Sequence, residues 1–409
     1  MRNLAILEAL APRFELEILT LVHRKSRFAD PGPVARLGAW RGVLAPNRRS
    51  LLHRAAGQID YRLRGRGWER ETWFLGCRAL ARAVSRSIAE HPPDLVHVAY
   101  WYTLRHLAPF SRPSLWVLDT HDVQFERWER IRHRPSPRER DAEIAEWRRY
   151  DRIVAITPRD ADTIRAALGT AEPPISTIGM GVDLDRFRRG DALAAAVTTA
   201  EAPTTADAPT TPEPAGGEVV YFGNLGTPGN RDAAVHLCHD ILPRIRQSLP
   251  EARVLLAGAD PAPDVRALGA IPGVRVTGAV EDPRPYLARA AVFALCLRAA
   301  SGIRSRACEA MALELPIVAY PEALEGMGFR DGTEVIVAPD AERFADAVVA
   351  LLRDPGRRER IGLAAREAVR RDYGVAATYG RFPDLYATMI DEVRAPSGRF
   401  PEAGRPAAR

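Results

Sequence analysis

From Glu218 onward, short apolar runs recur along the chain: EVVYF (218–222), RVLLAG (253–258), VRVTG (274–278), VFALCL (292–297), PIVAY (316–320) and EVIVA (334–338). Helical stretches separate most of them, such as RDAAVHLCHDILPRIRQSL and the run from Glu342 to Arg353. Strands alternating with helices predict a parallel sheet covered by helices on both faces. The N-terminal half is α/β as well, though less regular. Strands are predicted at LEILTLV (16–22), DLVHVAY (94–100), LWVLDTH (115–121) and RIVAIT (152–157). The opening RNLAILEALAPRF reads as an amphipathic helix that precedes any strand.

Segment 191–217, DALAAAVTTAEAPTTADAPTTPEPAGG, has almost no large apolar residues and reads as a flexible linker. It divides the 409 residues into an N-terminal domain (1–190) and a C-terminal domain (218–392). A second disordered piece, 393–409, closes the chain. The linker coincides with a change in charge. Residues 1–190 hold 33 Lys and Arg against 23 Asp and Glu, whereas 191–409 hold 25 against 29. Within 36–86 there are 12 Arg and 3 acidic residues, interleaved with Trp40, Trp68, Trp73 and Phe74. Basic side chains with interfacial aromatics suit an anionic membrane surface, and equally a plain solvated face. No nucleic-acid-binding motif accompanies the charge, so a nucleic-acid partner is not expected.

No apolar run approaches the ~20 residues that span a bilayer, and no secretory signal pattern opens the chain. The four cysteines are scattered, without a C-x-x-C pair. That argues against a disulfide framework or zinc site and for a reducing cytoplasm. Asp183 and Asp185 mimic a D-x-D metal motif, but in GVDLDRF they read as a structural turn, and no metal is expected.

Chemistry concentrates in RAASGIRSRACEAMALELPIVAY (298–320), where a polar turn leads into a helix bearing Glu309. A helix N-terminus offers unpaired N–H groups and the positive end of a dipole, which suits a phosphate. Arg304 and Arg306 add charge, and Glu309, one turn further in, could accept hydrogen bonds from ribose hydroxyls. Gly223, Gly226 and Gly229 follow the first strand of this half. Such a turn either lets a phosphate approach the backbone or is simply tight. His97 lies within a predicted strand and reads as a core histidine. His121 ends one, where cleft residues of α/β folds collect.

These residues resemble the retaining glycosyltransferases of family 4. SGIRSRACEAMALELPIVAY is similar to that family's E-x7-E helix and the strand after it, and LDTHDVQ to its strand ending in a histidine near the donor sugar. YFGNLGTPGNRDA, GVRVTGAVEDPRPYLARAAVFAL, EGMGFRDGTEVIVAPD, LLRDPGRRERIGLAAREAVRRDYGV and RIVAITPRDADTIR…ISTIGMGVDLDRF follow in the right order. The resemblance covers nearly all of the chain outside the linker and tail. It implies the α/β GT-B fold, in which two Rossmann-like domains carry parallel sheets that face each other across a cleft. It further implies retaining, metal-independent transfer from a nucleotide-sugar donor to a glycan or lipid-linked acceptor. Cell-surface polysaccharide synthesis at the cytoplasmic, peripheral membrane would be the setting, with no cofactor beyond the nucleotide-sugar substrate.

Carried over by residue, the resemblance assigns Glu309 to the ribose. It places the N–H groups around Gly302 and Ile303, with Arg306, at the diphosphate, and Ser301 at a position that contacts the donor sugar. By their place in the sequence, Arg304 in the same turn, Gly223 and Asn224 after the first strand of this half, and Glu325 in the loop after PIVAY are further donor-binding candidates. His121 is the catalytic candidate, placed at the sugar. Two departures stand out. The family's first glutamate falls eight residues before Glu309, where this chain has Ser301. Family members also begin with a strand and a glycine-rich loop ahead of the first helix, so the first strand is missing here and a start upstream of Met1 is expected. Two other readings share the fold: a nucleotide-sugar 2-epimerase, and a non-catalytic subunit that binds a partner transferase.

Overall fold

The computed structural model describes residues 2–22, 32–44, 78–100, 104, 107, 114–126, 129, 137–200, 217–298 and 304–395. The chain forms two compact units, Met1–Gly179 with Tyr379–Arg409, and Met180–Thr378.

In the first unit, α1 (Arg2–Leu10) leads to β1 (Glu17–Val22), which pairs in parallel with β2 (Ala39–Leu44). After α2 (Arg78–Glu90) come β3 (Leu95–Ala99), β4 (Leu115–Thr120), α3 (Pro137–Trp147), β5 (Arg152–Ala155), α4 (Pro158–Leu168) and β6 (Ile175–Thr177). Strands β3-β4-β5-β6 form a second sheet in that order, parallel throughout. All six residues of β4 are buried, as expected of a strand flanked on both sides and covered on both faces. Its core gathers Trp116, Leu118, Trp147, Ile153 and Ile164, and Leu19, Leu21 and Val43 pack against it. Helix α4 shows how local sequence sets boundaries. Thr157 Oγ1 accepts from the Asp160 N–H at 2.9 Å, Pro158 takes the first turn, and Gly169 ends the helix at φ 66°.

The second unit opens with α5 (Arg189–Ala200), then β7 (Glu218–Phe222), α6 (Pro228–His236), β8 (Arg253–Ala257), β9 (Val274–Val276) and β10 (Val292–Leu295). It continues with α7 (Ser305–Ala312), β11 (Ile317–Ala319), β12 (Ile336–Val337), α8 (Ala341–Arg353) and α9 (Pro355–Tyr373). The sheet is parallel, in the order β12-β11-β10-β7-β8-β9. Counted from β7 as the first strand, this is the 3-2-1-4-5-6 order of a doubly wound sheet, which reverses direction between β7 and β10. The two parallel-sheet α/β units are those of the GT-B fold.

Several elements differ from expectation. The first residues of the predicted linker are helical in α5, and Ala192 is buried in the second unit's core. Alanine is the best helix former, so its abundance alone does not mark a flexible segment; residues 201–216 lie outside the described residues. The helix expected over 231–249 contains a π-helical turn at Leu237–Ile241. The division falls at Gly179 rather than 190 because the following turn is bound into the second unit. There Val182 N donates to Tyr373 O at 2.7 Å, and Arg366 donates to Phe187 O at 2.8 Å. A C-terminal helix, α10 (Phe382–Arg394), belongs to the first unit and includes Val393 and Arg394 of the predicted tail. Of the basic stretch, residues 45–77 lie outside the described residues, including Trp68, Trp73 and Phe74. Trp40 donates its indole N–H to Thr20 Oγ1 at 3.0 Å, tying β2 to β1. No described helix is long and apolar enough to cross a membrane.

Candidate functional site

In a doubly wound sheet, ligands collect outside the C-terminal ends of the strands where the order reverses. Here those ends belong to β7 and β10. Beyond β7 lies Gly223, whose carbonyl meets Gly258: a Cβ on Gly258 would stand 1.6 Å from Gly223 O, and Gly258 adopts φ 146°. Only glycine fits there. Asn224 builds the turn itself. Its side-chain oxygen accepts from Gly226 N at 3.0 Å, and its carbonyl accepts from Thr227 Oγ1 and Asn230 Nδ2 at 2.9 Å each. The turn is therefore tight and internally bonded, with its backbone at the sheet edge.

Beyond β10 the chain reaches α7. Ser301, Gly302 and Ile303 lie outside the described residues. Arg304 is half-buried and occupies the cap position, where its side chain makes no capping hydrogen bond. Arg306 lays its guanidinium 4.5 Å from the centroid of the Phe222 ring. Phe222 is the last residue of β7, so this cation–π contact joins the turn after β7 to the start of α7. Thus Gly223 and Arg306 are brought together at the reversal point.

Glu309 is buried, 9% exposed, on a helix whose last six residues are all buried. Burial pushes its carboxyl up, and the charges of Arg306 and Arg186 offset part of that rise. Arg186 went unmarked in the sequence, where nothing ties it to a residue more than a hundred positions away. Glu325 is exposed beyond β11, the next strand outward from β10, and precedes Gly326 at φ 80°. Asp183 Oδ1 accepts from the N–H groups of Asp185 and Arg186 at 3.0 Å each, a turn-forming use of the carboxylate.

In the first unit, His121 follows β4 and Tyr100 follows β3. Their rings stack at 4.0 Å between centroids, tilted by 32°. Tyr100 holds φ 67°, sparsely populated for a side-chain-bearing residue and characteristic of functional sites. Sequence reasoning missed Tyr100, since its backbone angle has no signature in the residue string. Beneath His121 lies Asp119, fully buried. It receives Arg2 Nε at 2.9 Å and Arg2 Nη2 at 2.6 Å. Arg2 also donates to the carbonyls of Gly179 and Ile178, at 2.8 and 3.2 Å. Burial opposes ionisation of Asp119, but the His121 and Arg2 contacts outweigh it and hold the carboxyl well below the usual carboxylate range. The loop after His121 is pinned by Glu143, whose two oxygens accept from Gln124 N and Phe125 N at 3.0 and 2.8 Å. His97, half-buried on β3, shares a 2.5 Å hydrogen bond with Tyr386, and burial of its ring pushes its pKa down.

Residues 32–186 match Glycosyltransferase Family 4, and residues 216–354 match the glycosyl transferases group 1. The chain belongs to glycosyltransferase family 4. Among curated relatives of this family 4 chain is the D-inositol 3-phosphate glycosyltransferase 2 of Catenulispora acidiphila. It is 26% identical over 260 residues, which is 60% of this chain and 58% of that one. The phosphatidyl-myo-inositol mannosyltransferase of Mycobacterium leprae is 31% identical over 170 residues, 40% of this chain and 45% of that one. The chain therefore spans about half the length of the curated relatives it matches. Among solved structures, the sucrose-phosphate synthase of Thermosynechococcus elongatus has a TM-score of 0.67 at 17% identity. That match covers 95% of this chain and 92% of that one. HepE of Anabaena, solved with UDP and glucose, has a TM-score of 0.63 at 15% identity and 95% coverage of each chain. At these identities the likeness shows the fold.

Proposed function

We propose that this protein transfers a sugar from a nucleotide-diphosphate donor to a glycan or lipid-linked acceptor, with retention and without a metal ion. The observation that carries the reading is the convergence at the reversal point: the Phe222–Gly223 turn, Arg306 stacked on it, and Glu309 one turn further along α7. A diphosphate at the start of α7 meets backbone N–H groups, the positive end of the helix dipole and Arg306. Negative charge grows on that diphosphate as the sugar–phosphate bond breaks, and fixed donors already in place stabilise it. These cationic groups take the part a metal ion plays elsewhere. Glu309 accepts from the ribose hydroxyls, and His121 contacts the transferred sugar.

Calorimetry of the full chain against UDP- and GDP-sugars tests the reading, followed by nucleotide release with acceptor present. Saturable binding of one donor class and EDTA-resistant turnover are expected, with the product's anomeric configuration matching the donor's by NMR. No binding of any nucleotide-sugar would end the proposal. Ser301 in place of the family's first glutamate favours a second reading, a donor-binding subunit without transfer. Donor binding with neither hydrolysis nor transfer would select it.

A further inference from the structure

The carboxylate of the buried Arg2–Asp119 pair lies beside His121. His121 exposes 16% of its side chain, yet its Nε2 is shielded from solvent and makes no closed hydrogen bond. Asp119 Oδ2 lies 3.5 Å from that nitrogen. This is longer than a closed bond, and catalytic hydrogen bonds are often long without substrate and tighten when it binds. Arg2 donates to both carboxylate oxygens, which holds the Asp119 carboxylate in place as an acceptor. Tyr100 closes one face of the imidazole ring at 4.0 Å, and Glu143 fixes the backbone that follows. The ring is thus bordered by a carboxylate at Nε2 and a tyrosine on one face.

We propose that Asp119 is a positioning residue for His121: it accepts the Nε2 proton, fixing the Nε2–H tautomer so that Nδ1 presents its lone pair to the substrate. Arg2 sustains this by keeping Asp119 in place as an acceptor, and Tyr100 by holding the ring plane. The inference rests on His121 acting at the donor sugar. No proton leaves the histidine–aspartate pair; the carboxylate orients the ring, as in other histidine–carboxylate sites.

The test combines nitrogen NMR of histidine-labelled full-length protein with kinetics. The His121 signals are assigned by their loss in His121→Gln. The wild type is expected in the Nε2–H form, and Asp119→Asn, whose amide can donate instead of accept, in a mixed or Nδ1–H form. Asp119→Asn should lower kcat by ~30-fold or more while leaving the donor KM within ~3-fold, a loss of orientation rather than of binding. Because Asp119→Asn leaves Arg2 buried without its carboxylate, the charge-free pair Arg2→Met with Asp119→Leu is measured beside it. It should fold, show the altered tautomer and share the kcat loss. An unchanged tautomer in either variant overturns the proposal, and so does full kcat in either variant when His121→Gln itself loses activity. An altered tautomer with unchanged kcat, in an enzyme equally active as His121→Gln, upholds Asp119 as the residue that orients the ring and removes His121 from the donor site instead.

Discussion

Asp119 and Glu309 are both buried carboxylates near the C-terminal edge of a parallel sheet, one in each unit, and they are built in opposite ways. Asp119 is gripped by Arg2 through two hydrogen bonds and sits well below the usual carboxylate range. Glu309 has two arginines near enough to act on it electrostatically, yet burial still lifts its carboxyl above the usual value. A buried charge that has its counter-ion belongs to the architecture. One that burial destabilises is held in readiness for something else, and ligand sites are where such groups collect. On the proposed function, the contrast sets a group that shapes a site against one that meets a ligand, and it can be broken at either end.

The largest effect is expected at the gripped carboxylate. Asp119→Ala strands Arg2 in the core without a partner, which costs about 3–5 kcal/mol. Urea unfolding followed by signals from the first unit should show that loss. Arg2→Met combined with Asp119→Leu should recover most of it, because an apolar pair of similar volume replaces a buried ion pair at little cost. The folded pKa is depressed, so the stabilisation is present above the unfolded aspartate value and is lost as pH falls through the folded one. Asp119→Ala should accordingly be less sensitive to acid than the wild type. An Asp119→Ala protein within 1 kcal/mol of wild type would mean the pair is not integral to the fold.

The second test targets Glu309. Glu309→Gln should weaken donor binding by roughly 10- to 100-fold, the worth of hydrogen bonds to a charged acceptor. Stability should move the other way. Because its folded pKa is raised, ionised Glu309 is a penalty at neutral pH, and glutamine removes it. Donor affinity of the wild type should also fall on acidification at a higher pH than for an ordinary glutamate, while that of Glu309→Gln stays flat. Calorimetry across pH reads both effects; a variant that loses stability and keeps affinity would reverse the assignment of roles.

How far the sequence discloses this contrast depends on the range of the interactions. The strand cores were legible because EVVYF, VFALCL and PIVAY are apolar throughout, as burial on both faces requires. The placement of Glu309 on a helix beside Arg306 was legible too, since helix start, arginines and acid lie within a few residues. Arg2 and Asp119 are 117 residues apart and carry no mutual signal in a single sequence. The α5 segment misled because alanine-rich composition fits a helix as well as a linker. The bond from Arg366 to Phe187, which draws the turn after Gly179 into the second unit, likewise joins residues distant in sequence.

The smallest expected effect concerns Phe222, which no motif singled out and which supports Arg306. If the ring holds the guanidinium over the Gly223 turn, Phe222→Leu forfeits a cation–π contact of about 0.5–1 kcal/mol, or roughly 2- to 5-fold in donor affinity. Phe222→Tyr keeps the ring face and should bind as the wild type does. Arg306→Lys retains the charge but loses the planar group that stacks, so it should fall near Phe222→Leu rather than near Arg306→Ala. The ordering among the four variants matters more than any one value. Were Phe222→Leu and Phe222→Tyr to bind the donor equally, Arg306 would act as a point charge and its stacking on β7 would be incidental. The readiness seen in the second unit would then lie in Glu309 alone.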